Sequence, residues 1–380
     1  MKRWICFVAV LGALLGLLPF GAFAAGPEVA AKSAVLMEVS TGQILCEQNA
    51  HTPLPPASVT KVMTLLLIME ALDAGKISWE DTVTASETAA AKGGSQVYLK
   101  VGETMTVTDM VKAIAVSSAN DCACAMAEHL AGSEEAFVTQ MNERAKALGM
   151  EDTNFVNCTG LDDSPEAKEH KTSAYDIALM SRELLRHPDI KNFTTIWMDT
   201  LRNGTFGLSN TNKMVRFYSG CTGLKTGFTQ GAGYCLSASA EREGMELVAV
   251  VMGCESSKER FAACKSLLDH GFANYAAVTP EAVGEQVPVV LGKAPAVSAV
   301  PSALMPLIID KAQKNSITTE MELEESVEAP VAKGQRLGTL TVKAGEQILA
   351  QIPLVAEESV EKKGFWDIFA QMLRRTAMAE

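Results

Sequence analysis

From Ser58 to Ala74 the chain is apolar on nearly every side of a helical wheel, and the run stops at Gly75. A surface helix needs one apolar stripe, whereas a helix without a polar face must be enclosed all round. The rest of the chain therefore has to wrap this one segment, and any polar group it carries is taken into the interior. It carries Ser58 and Lys61, three residues apart and hence on the same helical face. Pro55-Pro56-Ala57 lead into the run, which places Ser58 near a helix N-terminus with backbone amides pointing outward. Gly75 is a glycine stop.

A serine hydroxyl is a poor nucleophile until a base takes its proton. Lysine is such a base only when neutral, and burial or a nearby cation favours that form. Lys225 is a candidate for the cation. It stands in a second short string, Lys225-Thr226-Gly227-Phe228, just before strand-like sequence. The bland reading of that string is an edge strand with a surface lysine. The chemical reading sets the strand beside Ser58, with Gly227 allowing substrate to approach the backbone and pair as an added strand. Lys225 and Thr226 then hold a carboxylate, and the amide of Phe228 completes an oxyanion hole begun at Ser58. Between these strings lies Ser118-Ala119-Asn120. By itself it reads as a helix cap. Beside the other two it supplies Ser118 as a proton carrier and Asn120 as a hydrogen-bonding partner for a substrate amide.

The chain begins with Lys2-Arg3, an uncharged apolar run from Trp4 to Phe20, and Ala22-Phe23-Ala24. That is the layout of a cleaved secretory leader over residues 1–24, too short for a spanning helix. From 25 to 277, strands and helices mix. A hairpin is expected around Ser40-Thr41-Gly42, and helices over 108–114 and 121–130. Another helix is capped by Ser173 above an apolar stripe at Ile177, Met180 and Leu184. Strands follow at 233–240 and 245–252 about the turn 241–244, then a helix at 257–268. Strands at both ends with helices between predict an α+β domain, one antiparallel sheet flanked by helices. From 278 to 357 short alternating runs (287–291, 317–323, 337–342, 348–355) predict a small all-β domain of sandwich type. The polar stretch 358–363 reads as a linker. After it, Phe365, Ile368, Phe369 and Met372 share one helical face flanked by Lys362, Lys363, Arg374 and Arg375. That block reads as an amphipathic helix lying on a membrane surface; packing onto the β-domain is the alternative.

The formal net charge of −12 argues against a nucleic-acid partner, which would require a basic face. His51, His129, His170, His187 and His270 show no ligand spacing, so neither a metal nor a cofactor is expected. Past the leader stand Cys46, Cys122, Cys124, Cys158, Cys221, Cys235, Cys254 and Cys264. Their spacing defines no disulfide framework and leaves their pairing open.

The ordered strings Ser58-Val59-Thr60-Lys61, Ser118-Ala119-Asn120 and Lys225-Thr226-Gly227 resemble the signature of penicillin-recognising serine hydrolases. Residues 26 to about 275 look like the catalytic domain of the low-molecular-mass penicillin-binding proteins, the serine-type D-alanyl-D-alanine carboxypeptidases. Asn154–Leu161, Thr172–Asp176 and Gly231–Tyr234 are similar to family strings as well, as is the β-domain followed by an amphipathic tail. The resemblance implies a β-lactamase/transpeptidase-like fold and Ser58 as the acylated nucleophile. It implies Lys61 as base, Ser118 as the second catalytic group, and Asn120, Lys225, Thr226, Gly227 and Phe228 as substrate-binding residues. Arg260 matches a family arginine that helps bind the terminal carboxylate. The expected partners are a peptidoglycan stem peptide ending in D-Ala-D-Ala, β-lactam antibiotics and, through the tail, the outer face of the cytoplasmic membrane. Phe228 departs from relatives that carry a polar side chain there. Two rivals remain. A class A-like β-lactamase would need a deacylating glutamate, and Glu166 and Glu169 lack the expected Glu-x-x-Leu-Asn setting. A non-catalytic wall-binding protein on the same fold would tolerate loss of the motifs, which are intact.

Overall fold

The computed structural model describes residues 26–281 and 284–377, so the leader read over 1–24 lies outside the described residues. Five strands form the main antiparallel sheet: β1 (Ser33–Glu38), β2 (Ile44–Gln48), β3 (Cys221–Thr229), β4 (Gly233–Arg242) and β5 (Met245–Cys254). Their order is β2-β1-β5-β4-β3, which leaves β3 on one edge. Gly42 (φ +76°) makes the β1–β2 turn as expected. The β4–β5 turn is tighter than the four residues expected. Pairing continues to Arg242↔Met245, and only Glu243 (φ +50°) and Gly244 (φ +76°) are left to turn, both with the positive φ of a type I′ hairpin.

Alternation along β5 explains the layers. Val248, Val250 and Met252 enter one buried cluster, and Leu247, Ala249 and Val251 enter another. Both faces of the strand are therefore covered. The larger cluster is built by α1 (Lys61–Asp73), α2 (Val107–Ser117), α3 (Asn120–Ala131), α4 (Glu134–Ala147) and α5 (Ala174–Leu185); α6 (Ser257–Asn274) covers the other face. Helix α1 is enclosed as its composition requires, with Val62, Met63, Leu65, Leu66, Ile68 and Met69 all buried. It begins later than expected. Residues Ala57–Thr60 form a 3₁₀ turn, and the α-helix starts at Lys61. Helix α6 runs six residues past the expected Leu268, started by a capping box between Ser256 and Glu259. Helix α4 was not anticipated. Its mean character is polar, but Ser133 caps it and Phe137, Met141 and Ala145 form a buried stripe at four-residue spacing.

Beyond α6, Tyr275–Val278 pairs with Leu307–Asp310. Six further strands form one sheet in the order Ile317–Leu323, Arg336–Ala344, Gln347–Ala356, Ala296–Pro301, Glu285–Val290, Val327–Glu328. It closes on its own core of Val287, Val297, Leu337, Leu340, Val342 and Leu354. The expected linker at 358–363 is instead stitched to this sheet. Val360 bridges Val331, Lys362 bridges Gly292, and Lys363 N–H donates to Leu291 O (2.8 Å). The reason is Val360 itself, an apolar residue in a polar stretch that is 3% exposed and part of the core. Helix α7 (Phe365–Ala377) follows, with Phe365, Trp366, Phe369, Met372 and Leu373 exposed. Among the described residues no helix is long and apolar enough to cross a membrane.

Candidate active site

The site starts from a strained turn. Ala57, the residue before Ser58, has φ +48° although it is not glycine, a conformation that costs an L-residue about 1–2 kcal/mol. Thr60 Oγ1 donates to the Ala57 carbonyl (2.8 Å), and Gly160 (φ +81°) packs directly on that carbonyl, leaving no room for a Cβ. In the 3₁₀ turn side chains three apart eclipse. That is how Ser58 and Lys61 meet: Lys61 Nζ donates to Ser58 Oγ (2.9 Å) and to Thr159 O (2.8 Å). Lys61 is fully buried, and burial draws its pKa down to about 7 against the opposing pull of Cys158 and Asp121.

Thr159 is held by a turn that Asn157 closes. Its Oδ1 accepts from Thr159 N–H (3.1 Å) and Gly160 N–H (2.7 Å). From the opposite side β3 presses on the serine turn. A Cβ at Gly227 would lie 2.6 Å from Pro56 O, so only glycine lets the strand come this close. Lys225 is 1% exposed and donates to Thr226 O (3.0 Å). Burial first, then the positive neighbours Lys61 and Arg260, hold Lys225 well below the usual lysine range. Of the two causes expected for a neutral Lys61, burial is the one that acts on it, and the repulsion between the two lysines registers on Lys225. Thr226 Oγ1 donates to Thr211 Oγ1 (2.7 Å). Phe228 is half exposed and packs its ring on Tyr234 (4.3 Å between centroids). Arg260 reaches the same strand. Its Nη1 donates to Gly227 O (2.9 Å) and Cys235 O (3.4 Å), while Nε is buried without a partner among the described residues.

The second string lies between α2 and α3. Ser118 is 3% exposed in a left-handed conformation (φ +66°), and its hydroxyl makes no hydrogen bond among the described residues. Asn120 is 1% exposed. Its Nδ2 donates to Gly93 O (2.7 Å), its backbone N–H donates to Ser95 O (2.7 Å), and its Oδ1 is buried with no partner among the described residues. An orphaned buried acceptor is costly and calls for a donor from outside. Asp121, next to it, accepts from Val97 N–H (3.1 Å) and Leu99 N–H (3.0 Å). Asn120 and Asp121 together hold residues 93–99 as a wall of the site.

The chain as a whole has counterparts among known proteins. Residues 21–256 match the family of D-alanyl-D-alanine carboxypeptidases, peptidase S11, and residues 275–362 match the C-terminal domain of penicillin-binding protein 5. The chain belongs to the peptidase S11 family of D-alanyl-D-alanine carboxypeptidases. It is 44% identical over 342 residues to D-alanyl-D-alanine carboxypeptidase DacF of Bacillus subtilis, covering 88% of this chain and 87% of that one. Penicillin-binding protein 5 of Haemophilus influenzae superposes with a TM-score of 0.78 at 30% identity, over 89% of this chain and all of that one. Penicillin-binding protein D2 of Listeria monocytogenes, solved in an ampicillin-bound form, has a TM-score of 0.59 at 33% identity, over 65% of this chain and all of that one.

In this carboxypeptidase the segment where a β-lactamase carries its deacylating glutamate is a 3₁₀ turn, Pro165–Glu169, with Glu166 and Glu169 both exposed. All eight described cysteines are free thiols. Gly93, Asp121 and His170 carry no expected role at the site, and Asn157, Thr159 and Gly160 figure only as part of the family-like string Asn154–Leu161. Asn157 ahead of Thr159-Gly160 was the most findable, since asparagine commonly closes a turn on amides two and three residues on. Asp121 carried no local signal for this role; Val97 and Leu99, the wall residues it holds, lie more than twenty positions away.

Proposed function

We propose that this carboxypeptidase removes the terminal D-Ala from peptidoglycan stem pentapeptides through an acyl-enzyme on Ser58. The observation that carries the reading is the 2.9 Å contact between Ser58 Oγ and the buried Lys61 Nζ. A neutral Nζ has a lone pair, so across this contact it takes the hydroxyl proton as Oγ attacks the penultimate D-Ala carbonyl. The oxyanion forms against the backbone amides of Ser58 and Phe228. Collapse breaks the peptide bond, and Ser118 passes the proton from Lys61 to the departing D-Ala amine. Water then hydrolyses the ester with Lys61 again as base. The substrate lies along the free edge of β3, beside Gly227. The unpartnered Asn120 Oδ1 accepts its amide N–H, and Lys225, Thr226 and Arg260 draw in its C-terminal carboxylate. Penicillin enters by the same attack, but its leaving nitrogen stays tethered to the acyl group, so the adduct persists. The ampicillin-bound Listeria relative supports that step, and the exposure of Glu166 and Glu169 speaks against a β-lactamase-type deacylation.

Residues 1–24 export the chain, 25–277 form the catalytic domain and 278–357 the β-rich domain. Helix α7 attaches the protein peripherally to the outer face of the cytoplasmic membrane, supported by the exposed ring cluster of Phe365, Trp366 and Phe369. The test is D-alanine release from a D-Ala-D-Ala peptide, together with intact mass after penicillin. The wild type gives release and a one-to-one adduct, and Ser58→Ala gives neither. An adduct that survives in Ser58→Ala overturns the assignment.

A further inference from the structure

Behind the serine turn lies a buried histidine for which the reaction above has no use. His170 is 3% exposed, with the Phe155 ring edge-on beside it (5.7 Å between centroids). Val156 N–H donates to His170 Nδ1 (3.1 Å). A backbone amide only donates, so Nδ1 is the acceptor and the neutral ring carries its proton on Nε2. Nε2 lies 2.8 Å from Thr60 Oγ1 and donates to it, and Thr60 Oγ1 donates to Ala57 O (2.8 Å). One amide thus orients a chain of three hydrogen bonds that ends on the positive-φ residue preceding Ser58. The same loop that begins at Val156 presents Thr159 O to Lys61 and seats Gly160 on the Ala57 carbonyl. His170 therefore joins the loop that holds Lys61 to the turn that holds Ser58. Burial, with Lys61 as a second and smaller cause, holds the imidazole pKa at about 4, so the ring stays neutral near pH 7.

We propose that His170 is a positioning residue for the acylation step: through Thr60 it locks the Ala57 turn and fixes the Ser58 hydroxyl against Lys61. The inference rests on Ser58 as nucleophile. If Ser58→Ala still forms the adduct, that assignment has failed, and the variants below are not needed to show it.

The test uses the mature chain and a fluorescent penicillin. It measures the second-order acylation rate per folded molecule, with thermal melting alongside. His170→Phe keeps an aromatic ring, somewhat larger than imidazole, and removes both of the ring's hydrogen bonds. Thr60→Val keeps the shape and removes the middle hydroxyl. Each is expected to slow acylation roughly 10- to 100-fold, the scale of a sub-ångström to 1 Å misplacement of a reacting group. The double variant should lose no more than the worse single one, because both cut one chain. Thr60→Ser should restore most of the rate. If either variant melts lower yet acylates within about threefold of wild type, well short of a misplacement effect, His170 is only structural and the proposal fails. Fully additive losses overturn it too. Should His170→Phe not fold, Thr60→Val against Thr60→Ser decides alone.

Discussion

The protonation state of Lys61 sets the pH dependence of acylation. Buried to the last atom, the ammonium has a pKa near 7 instead of 10.5. The general base must be neutral, so its active fraction is about 0.1 at pH 6, half at pH 7 and about 0.9 at pH 8. Acylation by a fluorescent penicillin should therefore rise about tenfold between pH 6 and pH 8, close to one log unit per pH unit at the acid end, and then level off. Stability moves the same way. The folded-state pKa lies below the unfolded one, so between about pH 7 and 10.5 the unfolded chain binds more protons, and stability climbs with pH across that window. At neutral pH the buried lysine costs on the order of 4 kcal/mol. Lys61→Met removes that cost and should melt above wild type while forming no adduct. Lys61→Arg cannot lose its proton and should acylate at least about 10²-fold more slowly. Stopped-flow acylation across pH 5.5–9 with thermal melts of the two variants checks all of this. A flat rate over that range, a midpoint near 10, or a lower melting temperature for Lys61→Met would refute the reasoning.

Three further outcomes are expected. Gly160→Ala should destabilise the chain by about 2 kcal/mol or more, because it combines a strained φ with a clash on the Ala57 carbonyl; urea unfolding reads it, and a variant as stable as wild type would mean the turn can yield. Asn120→Asp sets a carboxylate against Gly93 O where an amide donates now, and should lower kcat/KM for D-alanine release by roughly 10- to 100-fold, the scale of losing a buried hydrogen bond. Deleting residues 364–380 should abolish co-sedimentation with anionic liposomes and change the melting temperature by less than about 2 °C, since the aromatic face of α7 is exposed and not packed; unchanged binding with a lower melting temperature would make the helix structural.

What the sequence made legible follows from physics. Helix α1 had to be enclosed because it has no polar face, and Lys61 stood out because an ammonium group rarely enters such surroundings without a task, whereas Ser58 and Lys225 stood out through the short strings that hold them. The hairpin at Gly42, the cap at Ser173 and the stripe on α5 are local signals, and they hold. The insertion of β1 between β2 and β5 is a pairing across some two hundred positions, for which no short window carries a signal. Polar α4 went unanticipated and the segment around Val360 reads on average composition as a linker, although a few well-spaced apolar residues decide whether such a stretch is bound to a core.

The least legible residues are the ones that make the motif residues tolerable. Three basic side chains, Lys61, Lys225 and Arg260, converge where β3 meets the serine turn, and each is nine-tenths or more buried. An unaided cluster of this kind would unfold the seam or let the side chains swing out to water. It persists because backbone carbonyls accept from each: Thr159 O from Lys61, Thr226 O from Lys225, and Gly227 O from Arg260. Carbonyls are present at every residue, so no sequence pattern announces which ones turn inward. What selects them is a handful of special backbone positions — Ala57, Ser118 and Gly160 in the left-handed region, and Gly227 at the close approach. Asn157, Asp121 and His170 hold loops around those positions from the outside. The three short strings thus name the chemistry, while the geometry that makes a lysine neutral beside a serine is set by residues whose role is visible only once the backbone is folded.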